Sequence, residues 1–264
     1  MKIFNNIIAI LQKELQSYFS SPLAFSIASI FWLISGIFFV FILLSDQGII
    51  QNVALQEQLG NDSPIDVPYE FIQIFFGIMG SISMFLLPML SMGLYSEERK
   101  RGTIELLATS PLFNWVVALG KLLGVLAFYI TMIMPILLYE AIAFSTSNPP
   151  IPPQVPLMAH LGLILLAASI LSLGMFISSL TDSTIFSAVM TFILVLFLSI
   201  TDTLANTLDG ELSRIINHIS LLKTYENFVQ GIFSTGGLIV FISYIFLGLF
   251  LTAQSVEVLR FTRK

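Results

Sequence analysis

Residues 23–44 read LAFSIASIFWLISGIFFVFILL, a run that contains no charged residue. An α-helix needs about 20 predominantly apolar residues to cross the hydrocarbon core of a bilayer, which is roughly 30 Å thick. The run therefore predicts a membrane-spanning helix. The apolar core of a cleaved signal peptide has only about 7–15 residues, and this run is longer and follows an amphipathic lead, so we expect no cleavage.

Further stretches of similar length and composition follow along the chain. Membrane helices tolerate a proline such as Pro88 as a kink. The pattern predicts an all-α polytopic membrane protein whose six-span transmembrane domain covers residues 23–256. The spans after the first are expected over about 71–95, 113–140, 157–180, 183–201 and 233–254.

The composition agrees with a chain that is dissolved in lipid. Hydrophobic residues make up 56% of the sequence and charged residues 10%, with a mean hydropathy of +0.92, whereas a soluble domain carries about 25% charged residues. These values exclude a water-soluble monomer. The absence of cysteine excludes a disulfide scaffold and thiolate metal sites. The net charge of −5 does not suit a nucleic-acid-binding protein, which would carry a basic patch.

Basic residues are distributed unequally between the two sides of the membrane that six spans define. Cytoplasmic segments of membrane proteins are enriched in Lys and Arg. The side with both termini carries nine of them, and the other side carries only Arg214 and Lys223. We therefore expect both termini in the cytoplasm, with residues 257–264 as a basic tail. The nine are Lys2, Lys13, Arg99, Lys100, Arg101, Lys121, Arg260, Arg263 and Lys264.

Residues 1–22 predict an amphipathic helix ahead of the first span. Its apolar residues recur at steps of three or four positions, and its polar residues fall on the other faces. Such a helix lies in the membrane interface with its apolar side toward the lipid, and a partner-docking role is compatible with that position. The apolar residues are Phe4, Ile8, Leu11, Leu15 and Phe19.

The loop between the second and third spans is the densest polar cluster in the sequence. We predict a short mixed-charge helix over about 97–109, with a break at Gly102-Thr103. A loop that only fixes topology would explain the basic residues from Arg99 to Arg101, but not the break or the Glu-Leu-Leu that follows. A surface for a cytosolic partner explains both.

The segment over about 202–231 precedes the last span on the outer side. Its apolar residues recur at helical spacing with charged residues around them, which predicts a short helix that dips into the outer interface. These residues are Leu212, Ile215, Ile216, Ile219 and Leu222.

Motifs for catalysis, cofactors and metals are absent from the sequence. A phosphate-binding loop has the pattern G-x-x-x-x-G-K-[ST], whereas Gly120-Lys121 has Trp115 in the place of the first glycine and is followed by Leu122. We therefore expect no ATP hydrolysis by this chain, no bound cofactor and no metal site. Gly120 and Gly124 have the spacing that lets helices pack closely.

Ionisable groups inside spans usually mark function, and most of those here lie near span ends. We expect Lys121 to snorkel toward the interface and Glu140 to lie near the outer face. His160 lies further inside its span, either as a substrate or gating residue or as a side chain that faces the interface.

Soft, bulky residues of the second span are candidates for a substrate path, although side chains that only face the lipid are the simpler explanation. They are Phe76, Met79, Met84 and Phe85.

Two passages resemble the type-2 permeases of ABC transporters, the ABC-2 family. Residues 13–24, KELQSYFSSPLA, are similar to the K-E-x-x-x-Y-F-x-S-P-x-A lead of the branch that serves gliding motility and nitrous-oxide-reductase maturation. Residues 98–107, ERKRGTIELL, with Ser110-Pro111 and Gly120-Lys121 after them, are similar to the E-x-x-x-G-T-x-E-L-L…S-P…G-K signature. The resemblance covers nearly the whole chain.

The resemblance implies the membrane half of an exporter in the bacterial plasma membrane, surrounded by membrane lipid. The chain would pair with a second copy or a related permease, and two copies of a separate ABC ATPase would bind ATP and Mg²⁺. That ATPase would contact a coupling helix over about 97–109 and the N-terminal interface helix. By position, the coupling residues would be Lys13, Glu14, Glu98, Arg99, Gly102, Thr103, Glu105 and Leu106. The substrate would be hydrophobic or lipid-like.

Two other function classes require features of their own. An ion-coupled secondary transporter that acts without an ATPase is expected to have internal repeats, broken helices and charges near the midplane. An intramembrane enzyme needs paired carboxylates or histidine clusters within spans. No span centre of this sequence carries a charge, and copurification of an ATPase would distinguish the classes.

Overall fold

The computed structural model describes residues 2–58, 66–104, 112–144, 151–207 and 210–261. Every regular element within these ranges is an α-helix. The helices are α1 Lys2–Ser20, α2 Pro22–Leu44, α3 Ile49–Gln58, α4 Val67–Ser91, α5 Gly93–Lys100, α6 Asn114–Phe144, α7 Gln154–Leu180, α8 Thr184–Thr207, α9 Glu211–Ile219, α10 Leu221–Val229 and α11 Thr235–Phe261.

Six of the described helices are long and apolar enough to cross a membrane: α2, α4, α6, α7, α8 and α11. The prediction of an all-α polytopic protein with six spans is therefore confirmed. In lipid, an α-helix satisfies its backbone hydrogen bonds internally, so long apolar stretches of chain adopt it.

Four of these spans, α2, α4, α8 and α11, begin where a side chain caps the first turn. The hydroxyl of Ser21 accepts a hydrogen bond from the Ala24 amide at 3.4 Å, and a carboxylate oxygen of Asp66 accepts one from the Tyr69 amide at 3.2 Å. These oxygens satisfy amides that have no partner within the helix. Pro22, the first residue of α2, has no amide proton and therefore needs no acceptor.

Helix α7 occupies the centre of the bundle, where it packs against α11, α4 and α10. In the most apolar part of α7, 72% of the residues are buried inside the chain, against 17% in α8. A Cβ added to Gly248 of α11 would lie 2.7 Å from the Cβ of Ser172 in α7, so these two spans are in close contact. Helix α8 instead exposes large apolar side chains such as Ile185 and Phe197.

The bundle has two chemically different ends. The end that we call the basic end carries α1, α5, the first turns of α2 and α6, and the last turns of α4 and α7. The opposite end carries α3, α9 and α10.

The helix bounds of the second span and of the loop after it differ from those expected. The span predicted over 71–95 begins at Val67, because Asp66 caps its start, and it ends at Ser91. A separate helix, α5, follows it and ends at Lys100, whereas the coupling helix was expected over about 97–109. The chain then turns through Gly102, whose φ of +70° suits glycine. Residues 105–109 of the expected helix lie outside the described ranges.

The opposite end contains more buried helix than the interfacial prediction for 202–231 implied. Tyr225 and Phe228 of α10 are buried. Tyr225 lies against α4 and α7, and Phe228 lies against α7 and α11. The hydroxyl of Tyr225 donates to the carbonyl of Phe76 in α4 at 2.6 Å. Helix α10 therefore packs into the bundle, and α3, which the sequence pattern did not predict, lies beside α2 and α4.

Candidate functional site

Helix α1 packs along α6 across a surface that requires glycine. A Cβ added to Gly120 would lie 2.8 Å from the Cβ of Ile10, and one added to Gly124 would lie 2.6 Å from the Cβ of Glu14. Real Cβ atoms do not approach so closely, so the two glycines let α1 lie directly on α6. The contact brings Glu14 next to Lys121 of α6.

Lys121 is the centre of a group of buried charges. Its Nζ donates to Oε1 of Glu14 at 2.9 Å, to Oε1 of Glu98 at 2.9 Å and to the carbonyl of Leu94 at 2.8 Å. These three acceptors use all three protons of the ammonium group. Nζ also lies 5.0 Å from the ring centroid of Tyr95, an attractive cation–π distance. We call Lys121, Glu14 and Glu98 the charge cluster.

A fourth residue, Lys13 at the surface, balances the remaining negative charge of the cluster. A buried ammonium group is stable only when its charge is paired and hydrogen-bonded, and the Lys121 side chain is 2% exposed. Two carboxylates face this one buried cation. Lys13 supplies the second positive charge, since its Nζ lies 3.5 Å from Glu98 and 3.8 Å from Glu14 while its side chain is 67% exposed. The cluster thereby joins α1, α5 and α6.

Tyr18 fastens the last part of α1 to the bundle. Its hydroxyl donates to the carbonyl of Leu90 at 2.6 Å, and its ring stacks on Phe128 with 5.2 Å between centroids. Burial raises the pKa of the Tyr18 hydroxyl well above its ordinary value, and the nearby carboxylates of Glu14 and Glu97 raise it further. The hydroxyl therefore keeps its proton and remains a donor.

The other residues that the resemblance assigns to ATPase coupling are distributed around α5. Arg99 donates to the backbone of α7 at 2.7 Å. Gly102 and Thr103 form the exposed turn after α5. The remaining two, Glu105 and Leu106, lie outside the described residues. The described coupling residues therefore form one continuous region of the basic end.

A cavity of about 580 Å³ opens beside the charge cluster, between α1, α4 and α5. Its polar lining includes Lys13, Glu97 and Arg101, and its apolar lining includes Leu23 and Met89. Arg101 and Glu97 form an exposed ion pair at 3.4 Å. The basic end thus presents both signs of charge beside apolar surface.

The residues predicted to line a substrate path fall into two groups. Phe76 and Met79 are fully buried inside the chain, and the ring of His160 lies 5.0 Å from that of Phe76. Phe85 is exposed and lies 5.2 Å, centroid to centroid, from a phenylalanine of α8. Met84 is half-buried and contacts α8 as well. One group therefore packs in the core and the other faces α8 and the outside of the chain.

His160 forms a buried contact with Glu140 of α6. Its Nδ1 lies 3.7 Å from Oε2 of Glu140 and 3.0 Å from the carbonyl oxygen of Pro156. The other imidazole nitrogen and the other carboxylate oxygen are buried without a hydrogen-bond partner among the described residues. The pair links α6 to α7 on the side of the opposite end.

Lys121 is the residue whose role the sequence pattern missed. Its position near a span end predicts snorkelling toward the interface, but its ammonium group points instead to Glu14 and Glu98. These partners lie 107 and 23 positions away along the chain, so no local spacing connects them. The glycines beside Lys121 indicated close packing, but not that the packed helix was α1.

Comparison with known proteins agrees with this architecture. The family described as ABC-2 family transporter protein matches residues 8–264. The match includes all six spans and the charge cluster. No curated protein matches the chain.

Proposed function

Because the chain belongs to the ABC-2 transporter family, we propose that it exports a hydrophobic or lipid-like substrate by coupling to a separate ATPase. Membership makes it a permease subunit of an ABC transporter, a multi-pass membrane protein and a transport component that is not itself catalytic. It also implies an ATPase partner. The assignment to the gliding-motility and nitrous-oxide-reductase branch stays a prediction.

The observation that supports coupling most strongly is the charge cluster. Helices α1 and α5 are the two segments that the resemblance assigns to ATPase contact, and the cluster ties both to the first turns of α6. A buried ion pair resists separation, because loss of either partner leaves the other charge uncompensated. A displacement of α1 or α5 by a partner is therefore passed to a membrane span.

In this proposal the basic end faces the cytoplasm, where Lys and Arg concentrate in membrane proteins. The exposed turn at Gly102 and Thr103 and the charged cavity beside α5 form the surface that the ATPase contacts. ATP and Mg²⁺ bind to the ATPase, and this chain contributes no group to hydrolysis.

A second permease, either another copy or a relative, completes the transport path. Helix α8 supports this pairing because it buries little of its surface within its own chain and exposes side chains such as Phe186 and Phe197. Met84 and Phe85 of α4 lie beside α8 and add soft apolar surface. The substrate passes between the two permeases as they rock against each other.

Affinity purification of the tagged chain from native membranes tests the coupling. The wild-type chain should recover an ATPase that carries a phosphate-binding loop. The Arg101→Glu variant should recover less, because an exposed charge contact is worth about 1 kcal/mol, roughly fivefold in affinity, and Arg101 is exposed at the basic end. Lys223→Glu, the same reversal at an exposed residue of the opposite end, is the matched control.

Two results would contradict the proposal. Recovery of no ATPase with the wild-type chain would remove the coupling itself. Equal recovery with Arg101→Glu and wild type, or an equal loss with Lys223→Glu, would remove the basic end as the docking surface.

The substrate class is tested separately by ATP hydrolysis of the reconstituted complex in the presence of lipids and hydrophobic compounds. Stimulation only by hydrophilic compounds would contradict the lipid-like assignment.

A further inference from the structure

The α4–α5 break lacks a cap from its own sequence. Helix α4 ends at Ser91 and α5 begins at Gly93, with Met92 between them. The first amides of a helix have no carbonyl partner inside it and need an external acceptor. Met92 occupies the cap position of α5, and no side chain there makes a capping bond. The amide of Tyr95, in the first turn of α5, therefore needs an acceptor from elsewhere.

Helix α7 supplies that acceptor through Ser178. The hydroxyl oxygen of Ser178 accepts from the amides of Tyr95 and Ser96, each at 3.0 Å, and donates its proton to the carbonyl of Met92 at 2.7 Å. A serine hydroxyl has one proton and two lone pairs, so these three bonds use its whole capacity. Ser178 is fully buried, and water therefore does not compete for them.

The next residue of α7 holds the other end of α5. Arg99, close to the end of α5, donates from Nη1 to the carbonyl of Ser179 at 2.7 Å. Ser255 of α11 donates to the same carbonyl at 3.4 Å. Carbonyls in the last turn of a helix have no partner within that helix, so this one is available to both donors. Two consecutive residues of α7 therefore fix both ends of α5.

Helix α7 continues from this attachment to the opposite end of the bundle. There a Cβ added to Gly162 would lie 2.6 Å from the Cβ of Phe228, so α10 rests directly on α7. His160, half a turn earlier, lies 3.7 Å from Glu140 of α6. Because α7 is one continuous helix over Gln154–Leu180, a displacement at its Ser178 end reaches these contacts.

From these contacts we propose that Ser178 is the positioning residue that transmits the movement of α5 to α7 during transport. Helix α5 cannot tilt without moving α7 or breaking the three hydrogen bonds of one hydroxyl. The inference rests on the proposed function and deepens it. Lys121 connects the ATPase-facing segments to α6, and Ser178 connects α5 separately to the span that reaches the opposite end.

The test uses the permease copurified with its ATPase and reconstituted in lipid vesicles. Ser178→Ala removes the hydroxyl and adds no bulk, and leaves the buried amide of Tyr95 without an acceptor. The loss of such a bond changes an equilibrium by roughly tenfold. With a fluorescent short-chain phospholipid as the transported probe, we therefore expect the amount of probe transported per ATP hydrolysed to fall roughly tenfold, at unchanged ATPase recovery. A role in folding alone would lower the yield of complex and leave this ratio unchanged.

Ser172→Ala is the matched control, since Ser172 is also a buried serine of α7 but bonds to Ser169 and Tyr244, away from α5. Equal transport per ATP in the Ser178→Ala and Ser172→Ala complexes would overturn the inference. A wild-type chain that recovers no ATPase would instead contradict the proposed function.

Amide hydrogen exchange of the full chain gives a second measurement that requires no ATPase. Ser178→Ala should accelerate exchange at the Tyr95 amide, which donates to this hydroxyl. Ser172→Ala should leave exchange at Tyr95 unchanged. If Ser178→Ala does not alter exchange at Tyr95, the inference is also overturned.

Discussion

Replacement of Lys121 with methionine removes the cation of the charge cluster and keeps a long apolar side chain. Glu14 and Glu98 each lose a hydrogen bond of 2.9 Å, and the carbonyl of Leu94 loses its donor at 2.8 Å. The two carboxylates then share a buried region without the ammonium group between them. We expect Lys121→Met to lower the free energy of unfolding.

The size of this loss follows from the burial of Lys121. Removal of one partner of a buried ion pair costs about 3–5 kcal/mol, because the other charge is left uncompensated. Removal of one partner of an exposed pair costs about 0–1 kcal/mol. The Lys121 side chain is 2% exposed, but Lys13 remains 3.5 Å from Glu98 and offsets part of the loss. We therefore expect a loss of about 3 kcal/mol, at the lower end of the buried range.

Thermal or denaturant unfolding of the purified chain in detergent measures the loss. Lys13→Met is the matched control, since Lys13 contacts the same carboxylates from an exposed position, and it should cost less than about 1 kcal/mol. Adding Glu14→Gln and Glu98→Gln to Lys121→Met should recover part of the loss, because the unpaired charges are then gone. A loss for Lys121→Met no larger than that for Lys13→Met would refute the buried cluster.

Two further predictions concern α1 and the orientation of the chain. Gly124→Leu should separate α1 from α6 and make α1 sensitive to limited proteolysis, since even a Cβ there would lie 2.6 Å from Glu14. Gly77→Leu, where a Cβ meets nothing within 4 Å, should leave α1 protected, and equal sensitivity of both variants would contradict the docking. A reporter that works only in the cytoplasm should be active after Lys264 and inactive after Pro152, and activity at Pro152 would contradict the six-span orientation.

The spans could be predicted from sequence because each depends on its own composition. A charge-free run long enough to cross a bilayer forms a helix there regardless of its neighbours. The start of α2 was equally local, since Ser21 and Pro22 lie beside the turn that they stabilise. The end of α4 was not predictable, because the acceptor for the Tyr95 amide is Ser178, 83 positions away. A cap supplied by another helix leaves no pattern near the break.

The periodicity of α1 predicted one face of the helix but not the one that packs. Phe4 and Ile8 of the expected apolar stripe are exposed, as suits contact with lipid. The face that contacts α6 instead carries Ile10 and Glu14. A carboxylate on a packed face is recognisable only when its cation is known, and that cation belongs to another helix.

The two attachments of α5 follow from the physics of packing in lipid. Between membrane helices there is little hydrophobic driving force, so polar contacts and close packing decide how the helices sit relative to one another. At the basic end these polar contacts converge on α5. Glu98 meets a buried ammonium group of α6, and the amides at its first turn meet the hydroxyl of Ser178 in α7. Both contacts are buried, so separating them exposes an unpaired charge or unpaired amides to an environment that cannot solvate them. These contacts attach helix α5 to both α6 and α7, which is the mechanical property that the proposed coupling to an ATPase requires.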